Sequence, residues 1–144
     1  MKTMKFIAHP LTTVISFLVI LISGEQFGSF YIFYLLLGLP HGTAHSITGV
    51  LGIAFVLFGK VISKQLSRNF TALVNVIGCL LLWSSLCLFF FTDKSNYNIA
   101  TFYQLLPLIL MIIFLLISIS FFVENILLLL KHSKNNFYKP TASK

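Results

Sequence analysis

Two histidines stand four residues apart in the stretch Gly38-Leu39-Pro40-His41-Gly42-Thr43-Ala44-His45-Ser46-Ile47-Thr48-Gly49-Val50-Leu51-Gly52. Imidazoles at i and i+4 of one helix can converge on a single ion, the spacing that helical metal sites use. Glu25, a short way upstream, is the natural extra ligand or proton acceptor. The metal set to test is therefore His41, His45 and Glu25, with a metal ion or haem as the cofactor it would take. A second polar group, Glu124 and Asn125 with Ser120 one turn earlier, interrupts an apolar run six residues before Lys131. A carboxylate at such a place pairs with a base, stays protonated, or belongs to an ion path. Lys60 and His9 are the partners expected for it, locking helices together. No Ser/His/Asp grouping can be placed at one depth, and CxxC pairs, phosphate-binding glycine loops and EF-hand loops are absent from the sequence.

These residues must be positioned by a chain that is unlike a water-soluble domain. Of 144 residues, 58% are hydrophobic and 9% charged, and the mean hydropathy is +0.97. A soluble domain carries about 25% charged residues. Ten basic and three acidic side chains cannot cover a globule of this size in water. A soluble enzyme is excluded on that ground, and so is a disordered tail, which needs low hydrophobicity and high charge. The net charge of +7 does not point to nucleic acid, because the basic residues flank apolar runs instead of forming a stripe on one face. Cys79 and Cys87 share one apolar run, about 12 Å apart on a straight helix, too far to pair.

A membrane-crossing helix needs about 20 apolar residues. Cutting the chain where charges and turn residues interrupt gives an all-α, four-span bundle over residues 1–131, with spans at 6–23, 40–61, 70–91 and 105–130, followed by a basic tail at 132–144. The first run opens with His9-Pro10, proline being tolerated in a helix's first turn. Ile22-Ser23-Gly24 is a poor cleavage site, so the run reads as a retained span and not a signal peptide. The last run is longer than the hydrocarbon core and must tilt, kink at Pro107 or protrude. Residues 27–61 are too many for one span and too few for two with a turn, and making 27–39 a separate crossing would put either the middle or the C-terminal basic cluster outside. Residues 27–39 read as an outer-face helix or the protruding start of a kinked second one, with Phe27, Phe30, Tyr31 and Tyr34 as an interfacial aromatic belt. With four crossings and both termini in the cytoplasm, nine of the ten Lys and Arg residues fall inside, as the positive-inside rule requires of an inner-membrane protein.

If the second span is helical from Pro40 onward, Gly38, Gly42, His45, Thr48, Gly49 and Gly52 gather with His41 on about a third of its circumference. Small residues admit a close backbone, and lipid offers imidazole no partner, so this face should look into the bundle or a dimer contact. The five residues Gly38-Leu39-Pro40-His41-Gly42 resemble the short Pro-His-Gly motif of the bacterial membrane β-carotene dioxygenase family. The resemblance implies that a kinked, His-bearing helix can hold iron. That family carries an acid shortly after the motif, whereas Thr43, Ala44 and His45 follow here, and its complete enzymes are far longer.

Three functions follow in order. The first is a binding or assembly subunit using the Gly/His face to hold a partner helix, a second copy of itself, another membrane subunit or an apolar ligand within the lipid bilayer. The second is a metal- or haem-dependent membrane enzyme or carrier built on His41, His45 and Glu25. The third is an ion or small-solute transporter built on Glu124. It ranks last because only Asn75, Ser84, Ser85 and Ser118 continue a polar path through the midplane.

Overall fold

The structure, a computed structural model, describes residues 9–23, 28–63, 65–92 and 97–137, the side chains of 97 and 132–137 excepted. Glu25, Lys64, Asp93 and most of the basic tail therefore lie outside the described residues. In chain order the elements are α1 (Pro10–Leu18), β1 (Leu21–Ser23), β2 (Gly28–Phe30), α2 (Tyr31–Gly38), α3 (Ala44–Ile62), α4 (Arg68–Phe91), a 3-10 helix (Tyr97–Tyr103) and α5 (Leu105–Phe137). Three helices are long and apolar enough to cross a membrane, namely α3, α4 and the Leu105–Lys131 part of α5. Their outward faces carry Leu, Ile, Val and Phe, including Val61, Leu73, Leu116 and Leu127.

The first expected span is not one continuous helix. His9 starts α1 by accepting the Leu11 N–H on Nδ1 at 3.3 Å, with Pro10 following in the first turn. After nine residues the chain leaves the helix at Val19, and Leu21–Ser23, with the β-branched Ile22 at its centre, pairs antiparallel with β2 in the register Leu21↔Phe30, Ile22↔Ser29 and Ser23↔Gly28. Ile20 and Ile22, two residues apart, both point into the core and are fully buried. The hairpin is tied to the 3-10 helix by Thr101, whose hydroxyl accepts from the Ser23 N–H at 3.2 Å. His9 thus serves as the cap of α1.

The second expected span is also broken rather than kinked. The Gly42 N–H bonds to the Leu39 carbonyl at 3.0 Å and the Thr43 N–H to the Gly38 carbonyl at 3.1 Å. Gly42 has φ +62. This pair of bonds around a left-handed glycine is the Schellman ending of a helix. Gly38 to Gly42 therefore stops α2, and α3 begins afresh with Thr43 as its N-cap.

The hairpin of α3 and α4 is the densest contact in the fold. On α3, Ser46, Gly49, Gly52, Val56, Gly59 and Ile62 are buried, a stripe with steps of three and four residues. A Cβ added at Gly52 would lie 3.0 Å from the Leu82 backbone nitrogen and 3.1 Å from the Gly78 carbonyl oxygen. A Cβ at Gly78 would lie 3.0 Å from the Val56 nitrogen and 3.1 Å from the Gly52 oxygen. The two backbones touch there, as small residues allow in membrane helices.

The third packed helix, α5, covers α4 and α1. Its Pro107 falls in the first turn, where a missing N–H costs nothing, and is fully buried instead of marking a kink. The Leu105–Lys131 segment has 27 residues and is about 40 Å long, more than the roughly 30 Å of a hydrocarbon core. At the centre, Phe17, Tyr31, Phe89 and Phe114 form a chain of tilted and edge-to-face rings with centroids 5.1 to 5.5 Å apart.

Candidate functional site

The polar side chains gather at two levels, one near each end of the three long helices. At the first level the junction of α2, α3 and α4 is closed by a hydroxyl network. Ser85 donates its one proton to the His45 carbonyl at 2.6 Å, so the Tyr31 hydroxyl must be the donor to Ser85, 2.9 Å from its Oγ and 3.2 Å from its carbonyl. Tyr31 lies outside the three long helices, and burial pushes its phenol well above the ordinary value. Thr43 Oγ1 lies 2.9 Å from Ser46 Oγ and 3.2 Å from the Gly38 carbonyl, while Ser46 donates to the Tyr34 carbonyl at 3.4 Å. A Cβ on Gly38 would collide with both Ser46 Oγ and Thr43 Oγ1.

Against this network lies a pocket of about 380 Å³, lined by Thr43, Ala44, His45, Leu88, Phe89, Thr92 and Asn98. His45 is half-buried, bonds to the backbone of Tyr34 and meets the Phe89 ring edge-on at 5.1 Å. Two threonines, an asparagine and a histidine thus line one cavity together with Leu88 and Phe89. The set can take a ligand that both donates and accepts hydrogen bonds and has an apolar body.

The residues expected on one helical face separate into three groups. Gly49 and Gly52 are buried against α4, Gly49 also against Leu35. His45 lines the pocket, and Thr48 beside it is half-buried, bonding back to Ala44 and His45 carbonyls at 2.8 and 3.1 Å. His41 and Gly42 are exposed in the turn before α3, and nothing lies within 4 Å of a Cβ on Gly42. Because His41 precedes the helix that carries His45, the i, i+4 geometry that would aim both at one ion is missing. No group of three or more His, Cys, Asp or Glu suited to a metal occurs among the described residues.

No protein family, curated protein or solved structure matches this chain. The geometry alone must carry the functional reading.

At the other level Asn75 Nδ2 donates to Asn125 Oδ1 at 2.9 Å, and Asn125 Nδ2 donates to the Phe121 carbonyl at 2.8 Å. Asn125 is buried as expected, but Ser120 is exposed and satisfies itself on the Leu116 carbonyl at 2.8 Å. Ser120 is four positions from Glu124 but five from Asn125, about 140° around the helix, which turns it away from the buried side. The base that shares a pocket with Glu124 is Arg68, not Lys60 or His9. Between the levels, the Trp83 indole donates to Ser118 Oγ at 2.9 Å and its ring leans on Phe122 at 5.1 Å. Asn75, Ser85 and Ser118 carry more of the polar packing than the histidines do. The signal for Asn75 and Ser85 in the sequence is the recurrence of small or polar residues on one side of α4: Asn75, Gly78, Cys79 and Ser85.

Proposed function

We propose that this chain is a small multi-pass protein of the cytoplasmic membrane, with both termini inside, acting as a binding subunit whose working surface is the pocket around His45. Its three long apolar helices make it a membrane protein by length and composition. The charge distribution supports four crossings with nine of ten bases inside. The position of α1 supports the fourth crossing: Phe17 packs on Phe114, nine residues past Leu105, while Ser23 reaches Thr101. The stretch from Phe17 to Ser23 therefore covers about 13 Å of the depth of α5, and Pro10 to Phe17 continues away from the hairpin end.

The observation that carries the binding role is the pocket itself, which places Thr43, His45, Thr92 and Asn98 together with Leu88 and Phe89. Concave apolar sites with a few convergent polar groups are where small ligands bind. The glycine half of the expected assembly face is taken up by α4 of the same chain, which leaves the His45 end for an external ligand. A second copy or another membrane subunit would meet the exposed side of α5 instead.

The test is to purify the chain in mild detergent, extract it with organic solvent and compare its small molecules with those of His45→Ala and Thr92→Val. A stoichiometric amphiphile that both substitutions deplete supports the reading. An identical extract from all three proteins overturns it.

A further inference from the structure

The pocket at the other end has a different chemistry from the one around His45. It measures about 470 Å³ and is lined by Arg68, Glu124, Leu127 and Leu128. One charge of each sign enters it from separate helices: Arg68 is the first residue of α4, capped by Ser67, and Glu124 comes from α5. The Asn75–Asn125 bond fixes the register of the two helices one residue from Glu124. Lys131, exposed and seven residues after Glu124, is on the same face of α5, about 10 Å nearer its end.

A simple anion would be attracted by Arg68 and Lys131 but repelled by Glu124, and a simple cation the reverse. The pair is complementary to a group with a phosphate and a primary ammonium together. The apolar part of the lining says what the group is attached to. From Leu127, 59% exposed, the row Val123, Ile119 and Leu116 continues along one side of α5 with exposures of 46%, 47% and 63%. Eleven residues of helix cover about 16 Å, close to one leaflet's half of a roughly 30 Å hydrocarbon core.

We propose that this pocket holds one phospholipid of the phosphatidylethanolamine type, its phosphate on Arg68, its ammonium on Glu124 and an acyl chain along Leu127, Val123, Ile119 and Leu116. Lys131 adds positive potential on the phosphate side. Only an ammonium with N–H groups can donate to the carboxylate, so the site distinguishes this headgroup from its trimethylated counterpart. An uncharged glycerol headgroup leaves Glu124 without a donor cation.

The full chain, reconstituted in vesicles of equal parts phosphatidylethanolamine, phosphatidylglycerol and phosphatidylcholine and then transferred to detergent, is analysed by native mass spectrometry for retained lipid. Phosphatidylethanolamine should be retained about tenfold or more over phosphatidylcholine, the size of one charge-assisted hydrogen bond. Glu124→Gln should abolish that preference, and Arg68→Gln should lower retention of all three phospholipids. Equal or stronger retention of phosphatidylglycerol, or an unchanged preference in Glu124→Gln, overturns the proposal. Should Glu124→Gln fail to fold, the unsubstituted chain decides the matter with mono-, di- and trimethylated ethanolamine headgroups: a steep loss at the last methyl supports the site, and a flat series refutes it.

Discussion

Replacing Gly52 by alanine tests the reasoning on which the whole bundle depends. The new methyl would stand 3.0 Å from the Leu82 nitrogen and 3.1 Å from the Gly78 oxygen, and 2.8 Å from Leu82 Cδ2. The leucine methyl can rotate away, but the two backbone atoms belong to a helix and cannot yield alone. The neighbour must give by a few tenths of an ångström, so α3 and α4 must part along their length. That loosens Val56 against Gly78 and Gly49 against Ser85 as well. Overpacking of this kind costs about 1 to 3 kcal/mol, and because lipid replaces the lost contacts only partly, the Gly52→Val change should cost more. Gly42 is the control, since there the constraint is φ +62 with open space around it. Asparagine tolerates that conformation, so Gly42→Asn should lose less than the roughly 1 to 2 kcal/mol that an ordinary side chain costs there. Unfolding in mixed micelles of rising dodecyl sulfate content, followed by the fluorescence of the single tryptophan, Trp83, measures all three variants. The reasoning fails if Gly52→Ala unfolds at the wild-type midpoint, or if Gly42→Asn is the more damaging change.

Further tests address the polar packing. A double-mutant cycle on Asn75 and Asn125, each replaced by alanine, should give a coupling of about 0.6 to 2 kcal/mol; zero coupling would mean the amides do not meet in the membrane. Ser118→Ala should cost about 1 kcal/mol and alter Trp83 emission, because the indole N–H loses its acceptor. Tyr31→Phe removes the donor to Ser85 and should cost about 0.5 to 1.5 kcal/mol. Since burial raises the folded-state value of this phenol above its ordinary 10.0, its contribution is complete below pH 10 and declines as the pH climbs further. The Phe variant should lack that alkaline decline, and a parallel decline in both proteins would assign it elsewhere.

The three long helices were legible because their apolar runs are long and their ends charged, and within residues 27–39 a separate helix was legible from the aromatic spacing, although it covers only Tyr31 to Gly38 because Gly28 to Phe30 form a strand. The hairpin was not. Val19 to Ser23 reads as the end of an apolar span, and only the pairing with Gly28 to Phe30, distant in local pattern, turns Leu21 to Ser23 into a strand. The turn at Gly42 was misjudged for a related reason. Gly38-Leu39-Pro40-His41-Gly42 contains a helix stop signal, a glycine just past the last turn, but the same glycine also fits a packing stripe. The bonds from Gly42 and Thr43 decide between the two. Gly49 and Gly52 were recognisable as interfacial from their spacing, while the identity of the surface they meet, α4 of the same chain, required the fold. Periodicity gives the direction a side chain points, but not what waits there, which is why Glu124 was assigned to Lys60 or His9 and lies with Arg68 instead.

The touching backbones of Gly52 and Gly78 bear on how the chain enters its membrane. During synthesis the glycine-lined side of α3 emerges before α4 and, apart from the contact of Gly49 with Leu35 of α2, finds lipid, which cannot fill the grooves between its small side chains. Its complement arrives only with α4, after the five residues 63–67. The two helices should therefore leave the insertion channel as a unit, and a long spacer placed between them should delay integration of the first far more than of the second.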